Sequence, residues 1–597
     1  MAYESRDQIP ARYRWDLSSM YPSDEAFLAA LEEARAYPGK LAAYAGRITQ
    51  SPQELLAFLQ LSDEADIALG KLINYAQRRS DEDTRDSRCQ DFAARAMSFY
   101  TDLAAAESWF SAELLTLDDA TLETFYEREP GLAVYRRCLE RICARRAHTL
   151  DPAGEKLLAQ ASDLAGQPEN IYSLLADADL RFDDARDAQG VPHPVTHGSY
   201  IPLMMSPDRT LRAHAFASLY AAYGQFRNTC AATLAAQMKQ QRFFATARHY
   251  DSTLDMALDR TEVPVSVYTN LIAAVRRNLP ALYRYVDLRK RLLGMDALHC
   301  WDLYVPVVPD VEMTFTYEQA CDLILRALEP LGDDYLAIVR KGLAERWVDV
   351  YETPGKRSGA YSAGGYGMHP VICMSFAGTL DDVFTLIHEM GHSVHTYLSC
   401  KNQPPVYSDY VIFVAEVAST CNEALLTQYL LAHTDDPAQR AYVLNHFLEQ
   451  FRGTLYRQCM FAEFERDVNQ MCADGQGITA DALCARYGQL NRDYYGPSLE
   501  QDPEIALEWA RIPHFYYGYY VYQYATGFAA ACALSRRILE KGAPAVADYL
   551  GFLAGGSSQP PIELLRGAGV DMATDEPVDA ALQWFSELVD QLAALLE

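Results

Sequence analysis

The chain has 597 residues, half of them hydrophobic, with 52 basic and 81 acidic side chains and a formal net charge of −29. That length exceeds one ordinary core and calls for two or more subdomains, and the charge argues against nucleic acid and anionic membranes as partners. No apolar run reaches the ~18–20 residues that span a bilayer, the opening MAYESRDQIPARYRW lacks a basic stretch followed by an apolar one, and thirteen scattered cysteines with no CxxC pair suit free thiols in a reducing cytoplasm.

Helical patterns follow one another along the chain and strand signals are few, so the expected class is mainly α. The stretch DARDAQGVPHPVTHGS (184–199) reads as a loop dividing an N-terminal helical region, 1–190, from the remainder, 191–597. His193 and His197 stand four apart in it, but Pro194 lies between them. No helix is expected there, and they read as surface loop residues. Ser206-Pro207-Asp208 reads as an N-cap with proline at the first helical position, opening a long helix towards Tyr250. Pro280 opens another, closed near Gly294. DLYVPVV (302–308) carries a strand signal. Thr316 with Gln319 makes a capping box for the next helix, and Pro354-Gly355-Lys356 marks a loop. SAGGYGMHPVICMSF (362–376) is strand-like around a turn at Gly364 and Gly365. A peptide could add to such an edge through backbone hydrogen bonds, gaining affinity with little side-chain selectivity.

The most informative stretch is His388-Glu389-Met390-Gly391-His392, within TLDDVFTLIHEMGHSVHTYL. Thr379 as N-cap with Asp382 at N3 favours a helix start just before it. On a helix the two histidines share a face, about 6 Å apart, so both rings reach one metal ion, while the intervening glutamate can hold and deprotonate a water there. Gly391 costs roughly 1 kcal/mol inside a helix; beside two potential ligands it implies close approach of another backbone or of substrate. His395 lies seven residues from His388, roughly 10.5 Å along the axis. It reads as supporting the site, facing substrate or packing, not as a third ligand.

The third ligand is expected in the next apolar helix, YVIFVAEVASTCNEALLTQYLLAH, where Glu416 sits among Val, Ile, Phe and Ala. A carboxylate there is costly unless paired or bound to metal. Glu423, two turns on, can accept a hydrogen bond from a ligand histidine. Further along, six of the nine residues from 516 to 524 are tyrosine, and GGSS (555–558) is a turn before the last helices.

These stretches, together with RYRWDLSSMYPSDEAF, SYIPLMMSPDRTLRAHAF, RIPHFYYGYYVYQYATG and GGSSQPPIELLRGAGVDM, resemble the M3 family of zinc metallopeptidases and, within it, the oligoendopeptidase F branch, over nearly the whole chain. The resemblance implies a multi-helical, two-lobed zincin-like fold with a small β-sheet beside the motif helix and a deep substrate channel. It implies one zinc ion per chain held by His388, His392 and Glu416, with Glu389 as general base. It also implies that His514 and Tyr520, then Tyr517 and Tyr522, bind the substrate and its oxyanion, and that 191–597 is the catalytic region. A His₂Glu set suits zinc best, although cobalt or manganese can occupy such sites. The expected function is zinc-dependent hydrolysis of internal bonds in short, unstructured peptides. The alternatives are a helical zinc carboxypeptidase or peptidyl-dipeptidase, which share HExxH with a downstream Glu, and a non-catalytic peptide-binding protein.

Overall fold

The structure is a computed structural model that describes residues 3–308, 311 and 313–597. Helices carry most of it. The sheets are small: a hairpin of β1 (Ala185–Arg186) and β2 (Pro192–His193), and a three-stranded sheet in which β5 (Val371–Cys373) lies between β3 (Val348–Asp349) and β4 (Tyr361–Ala363). Strand β5 runs parallel to β3, with Ile372 opposite Val348, and antiparallel to β4, with Ile372 opposite Ser362. The mainly α class is therefore as expected.

The chain forms two compact units. One comprises Met1–Thr149, Met313–Tyr429 and Leu534–Val570; the other comprises Leu150–Glu312, Leu430–Ala533 and Asp571–Glu597. Both are discontinuous in sequence. The division expected at 190/191 follows a loop that lies wholly within the second unit.

In the first unit strands β3 and β5 are buried and the edge strand β4 is half-buried. Val371 and Cys373 join a cluster with Phe27, Tyr75 and Phe92 from N-terminal helices, and Phe27 lies 5.3 Å from Tyr75 and 5.1 Å from Phe92, centroid to centroid. The motif helix, Leu380–Asn402, packs against β4 and β5. Its start is capped as expected: Thr379 Oγ1 accepts the Asp382 N–H at 3.2 Å, and Asp382 Oδ2 accepts the Thr379 N–H at 2.8 Å. Beneath it, Asp349 on β3 is fully buried between Arg6 at 2.5 Å and Lys356 at 2.8 Å. Burial alone would raise this carboxyl, but Arg6 and Lys356 hold it below the ordinary range. Lys356 also donates to the carbonyls of Asp349, Tyr351 and Met374 at 3.1, 2.9 and 2.5 Å, so the loop at 354–356 is closed over the sheet by one ammonium.

The second unit has an aromatic core in which Phe451 lies 4.7 Å from Phe528 and Phe447 lies 5.0 Å from Trp584. Its buried charges are paired, Arg457 with Glu508 at 2.7 Å and Arg289 with Glu449 at 3.0 Å, as burial of charge demands.

Several local expectations are corrected. The stretch 184–199 is not all loop: it holds the β1–β2 hairpin, turned at Gly190 with φ +82°, and His197 opens a helix, His197–Met204, capped reciprocally by Thr196 and Ser199. His193 bonds Asp187 at 3.0 Å. Ser206 is not the N-cap; Asp208 is, accepting from Thr210 and Leu211. The long helix towards Tyr250 breaks at Phe226 into Arg209–Gln225 and Arg227–Ala247. Residues 302–308 form no strand, because a 3₁₀ turn at Cys300–Asp302 buries Asp302 against Arg209 and Arg212. The helices Leu279–Leu292 and Tyr317–Ala327 stand where expected, the latter with the Thr316/Gln319 capping box.

Lys356→Met leaves the Asp349 carboxylate buried with Arg6 as its one ion-pair partner, and removal of one member of a buried pair costs about 3–5 kcal/mol. Calorimetric unfolding should show a clear fall in Tm; an unchanged Tm would mean that the sheet does not depend on this ammonium.

Candidate active site

The motif helix presents His388 and His392 on one face, and the next helix, Ile412–His433, brings Glu416 to them. The donor atoms form a nearly equilateral triangle: His388 Nε2 to His392 Nε2 is 3.2 Å, and each Nε2 lies 3.4 Å from Glu416 Oε2. Donors at ~2.0–2.1 Å from zinc in a tetrahedron stand about 3.3 Å apart, so the three fit zinc and leave one position open. Among the described residues this is the one group of at least three His, Cys, Asp or Glu that converges in this way. Glycine explains how the helices come so close. A Cβ on Gly391 would lie 2.7 Å from Ser419 Cα and 2.8 Å from the Ala418 carbonyl oxygen. The close approach expected from sequence is therefore that of the helix carrying Glu416.

Neighbouring side chains orient the donors. Glu423, 9 % exposed, accepts from His388 Nδ1, which fixes the tautomer that turns the Nε2 lone pair towards the triangle. Ser419 Oγ donates to Glu416 Oε2 at 3.1 Å. Asn422, fully buried, donates to the Ile387 carbonyl at 3.1 Å and accepts from the Tyr335 hydroxyl at 2.9 Å. Asn422 and Tyr335 were not singled out in the sequence; a buried asparagine in an apolar helix was the available signal. Burial would lower His388, but the hydrogen bonds to Glu416 and Glu423 outweigh it and push the imidazole up to about 10. Burial would raise Glu416, yet the two histidines hold it well below the carboxylate range. The cluster thus favours positive charge at Nε2, where a cation would supply it.

Glu389 is 7 % exposed, and its Oε2 has no hydrogen-bond partner. Burial raises its pKa, opposed by the two histidines. An unpaired, buried carboxylate oxygen with a raised pKa is the kind of group that can take a proton. His395 is packed: fully buried, stacked on Tyr410 at 3.7 Å, and kept neutral by burial, its pKa lowered to about 3.

Strand β4, the sheet's edge, is tied to the motif helix by the Ser362–Ser393 hydroxyl contact of 2.8 Å. Gly364 follows it, where a Cβ would lie 3.0 Å from Pro370 Cα and 3.2 Å from Thr396 Cγ2; Gly365 would meet Met368 at 3.3 Å.

The Tyr-rich segment belongs to the second unit. His514 lies in a 3₁₀ turn, Pro513–Tyr516, with its pKa lowered by burial. It gathers Tyr517, Tyr520 and Tyr524 at 5.5, 6.2 and 6.1 Å. Tyr522, expected to meet substrate, is a core residue, 2 % exposed and 5.1 Å from Tyr268. Tyr524 stands in the cluster in its stead, because the chain turns through Gly518 and Tyr519, at φ +69° and +56°, before the helix Tyr522–Lys541 starts.

Two helix-borne histidines, a carboxylate from the next helix and an unpaired glutamate fit the pattern of a metal-dependent peptidase of the HExxH class. Comparison with known proteins narrows this. The profile of Peptidase family M3 matches residues 202–584, and that of Oligopeptidase F matches residues 113–182. The chain is 44% identical to Oligopeptidase PepF of Bacillus subtilis (strain 168) over 591 residues, covering 99% of this chain and 88% of that protein. It is 38% identical to Group B oligopeptidase PepB of Streptococcus agalactiae, covering 99% and 98%. The crystal structure of oligoendopeptidase-F from Enterococcus faecium superposes with a TM-score of 0.76 at 37% identity, covering 96% of this chain and 99% of that one. The chain belongs to peptidase family M3.

Gly391→Ala tests the helix contact. Alanine gains about 1 kcal/mol of helix propensity, but overpacking against backbone costs about 1–3 kcal/mol, and here the neighbour is main chain, which gives least. We expect lower stability and faster loss of metal to a chelator. A variant at least as stable as the parent, with unchanged metal retention, would show that the helices are not held by this contact.

Proposed function

We propose that the protein is a zinc-dependent endopeptidase that cuts internal bonds of short, unstructured peptides. The observation that carries this reading is the triangle of His388 Nε2, His392 Nε2 and Glu416 Oε2, with edges of 3.2, 3.4 and 3.4 Å, beside the unpaired Glu389 Oε2. Zinc held by those three residues would supply Lewis-acid chemistry, polarising the scissile carbonyl and making water acidic near neutral pH. Glu389 accepts the proton of the attacking water at Oε2 and returns it to the leaving amine nitrogen. Its raised pKa suits both halves of that task. Glu423 holds the His388 ring in position. Strand β4 with Gly364 and Gly365 aligns the peptide backbone, which fits a preference for extended, unfolded substrates. In this reading His514 and Tyr520 donate hydrogen bonds to the carbonyl oxygen as negative charge builds on it. Tyr517, 48% exposed, contacts the peptide nearby. Every residue given a chemical role lies in 191–597, which we take as the catalytic region, with 1–190 as its N-terminal helical region.

We also place the protein in the cytoplasm. All thirteen cysteines are free thiols, which suits a reducing compartment, and no helix among the described residues is long and apolar enough to cross a membrane.

The test is hydrolysis of an internally quenched, end-blocked peptide of about eight residues, a length for which a peptide has no folded core, with products read by mass spectrometry. Internal cleavage should vanish with chelator and return with zinc. Cleavage only of free-ended peptides, at their termini, would replace the endopeptidase with an exopeptidase. Glu389→Gln should keep its metal while kcat drops by about 10²–10⁴-fold, the usual share of a general acid–base; substantial residual turnover would remove the proton-transfer role. Tyr520→Phe should lower kcat by about tenfold or more with little change in KM or metal content. A near-parental kcat would shift the role to Tyr517 or Tyr524.

A further inference from the structure

The first long helix, Pro52–Glu82, carries a polar face that is largely buried. Asn74, Arg78 and Asp81 recur in it at intervals of four and three, which places them on one side. Polar side chains in that pattern normally form a solvated surface, yet Arg78 is 8 % exposed and Asp81 1 % exposed. Buried charges need partners, and here the partners belong to the edge strand β4 and the loop that leads into it.

Asp81 is the centre of this contact. The Tyr361 hydroxyl, on β4, donates to its Oδ2. Arg78 Nε and Nη2 meet the same oxygen, each at 3.2 Å, and Gln77 Nε2 donates to Oδ1 at 3.1 Å. Arg357, in the loop before β4, lies 3.5 Å from Oδ1. The main chain takes part as well: the Arg357 N–H donates to the Asp81 carbonyl at 3.0 Å, and the Thr84 N–H to the Gly355 carbonyl at 2.7 Å. The Arg78 guanidinium covers the Tyr361 ring, 4.7 Å from its centroid. Asn74 reaches the turn after β4, where a Cβ on Gly365 would lie 3.8 Å from its Nδ2.

Successive side chains of a strand point to opposite faces. On β4, Tyr361 is tied to Asp81 on one face, and Ser362 is tied to Ser393 of the motif helix on the other. Strand β4 pairs with β5 along one edge, and these two attachments set the height of its other edge. We infer that Asp81 is a positioning residue for peptide cleavage: through Tyr361 it holds β4 where the free edge aligns a substrate backbone with the triangle of His388, His392 and Glu416. The inference rests on the reading of β4 as the peptide-aligning strand and goes beyond it, since a residue outside 191–597 then contributes to the reaction.

The test is steady-state cleavage of an end-blocked peptide by Tyr361→Phe, Asp81→Asn and the double variant, with metal content and Tm measured on each. Tyr361→Phe severs the tie and keeps the Arg78–Asp81 pair, so it serves alone where Asp81→Asn, which neutralises a buried pair, does not fold. Each single variant should raise KM by about tenfold, the lower end of what a hydrogen bond to a charged group is worth, with kcat and metal content unchanged. The double variant should be no worse than Asp81→Asn, because both changes remove one interaction. Peptides in which each non-scissile backbone N–H in turn is replaced by an ester oxygen then read the strand pairing itself. In the parent at least one replacement should lower kcat/KM by about threefold or more, and in Tyr361→Phe that loss should largely disappear. No ester effect at any position in the parent would mean that β4 does not pair with substrate, and the aligning role and this inference would fall together. An ester effect kept in full by the variants, at parental KM, would leave β4 as the aligning strand and remove Asp81 from its positioning. A rise in KM that comes with lost metal or with a matching fall in kcat would make the tie a matter of stability alone and would overturn the inference too.

Discussion

The structure around the triangle of His388, His392 and Glu416 depends on one contact, the backbone of the motif helix against that of the helix carrying Glu416. At Gly391 there is no room for a Cβ: it would fall 2.7 Å from Ser419 Cα. Glu416 precedes Ser419 by one helical turn, so this contact sets the height at which its carboxylate meets the histidines. Asn422, one turn further on, reaches back to the Ile387 carbonyl at 3.1 Å, next to His388. Two points of attachment fix both separation and register, and the result is a Glu416 oxygen 3.4 Å from each imidazole nitrogen. A glycine that costs about 1 kcal/mol in its own helix thus sets a geometry that no side chain at that position would permit.

Electrostatics then separates three carboxylates with similar intrinsic chemistry. Glu423 is spent on orienting His388. Glu416 is shared between two histidines and held strongly ionised by them. Glu389 is buried, keeps one oxygen without a partner, and has its pKa raised. Environments that differ this much suit neighbouring carboxylates to different tasks, and in the reading proposed above these are positioning a histidine, holding a metal and carrying a proton, all within two helices. Removal of either histidine would leave Glu416 a half-buried charge with a single partner, so the ligand set also bears on stability.

What was legible in the sequence followed the helical period. The Thr379 cap, the shared face of His388 and His392, the odd glycine and the carboxylate in the apolar helix all lie within regular helices, where spacing fixes direction. What was not legible depended on contacts distant in sequence or on broken periods. Strand β3 is two residues long and gains its identity only from β5, more than twenty residues away. The hairpin at 184–199 is equally short, and its turn chemistry was spread through a polar stretch. Asp208 displaced Ser206 as cap because its side chain reaches two N–H groups of the first turn. Tyr522 and Tyr524 could not be told apart, since 3₁₀ geometry followed by two left-handed residues makes side-chain direction uncountable along 513–522.

That irregular segment is nonetheless tightly specified. Tyr519 adopts φ +56° without being glycine, a conformation that costs about 1–3 kcal/mol and persists only where surroundings over-determine it. Here they do. Its N–H donates to Glu465 Oε1 at 2.6 Å, its hydroxyl meets Thr253 Oγ1 at 2.8 Å, and the Tyr516 carbonyl accepts from Gln237 at 2.7 Å. Glu465 is fully buried, and burial pushes its carboxyl up to about 8, so near neutral pH it is largely uncharged and holds Tyr519 at little desolvation cost. The partners come from three separate helices, Arg227–Ala247, Thr253–Asp259 and Arg457–Ala473. A stretch held from three sides keeps Tyr517 and Tyr520 beside His514, which is the pre-organisation that the peptide-contacting role proposed for this segment would need if binding is not to be spent on arranging it.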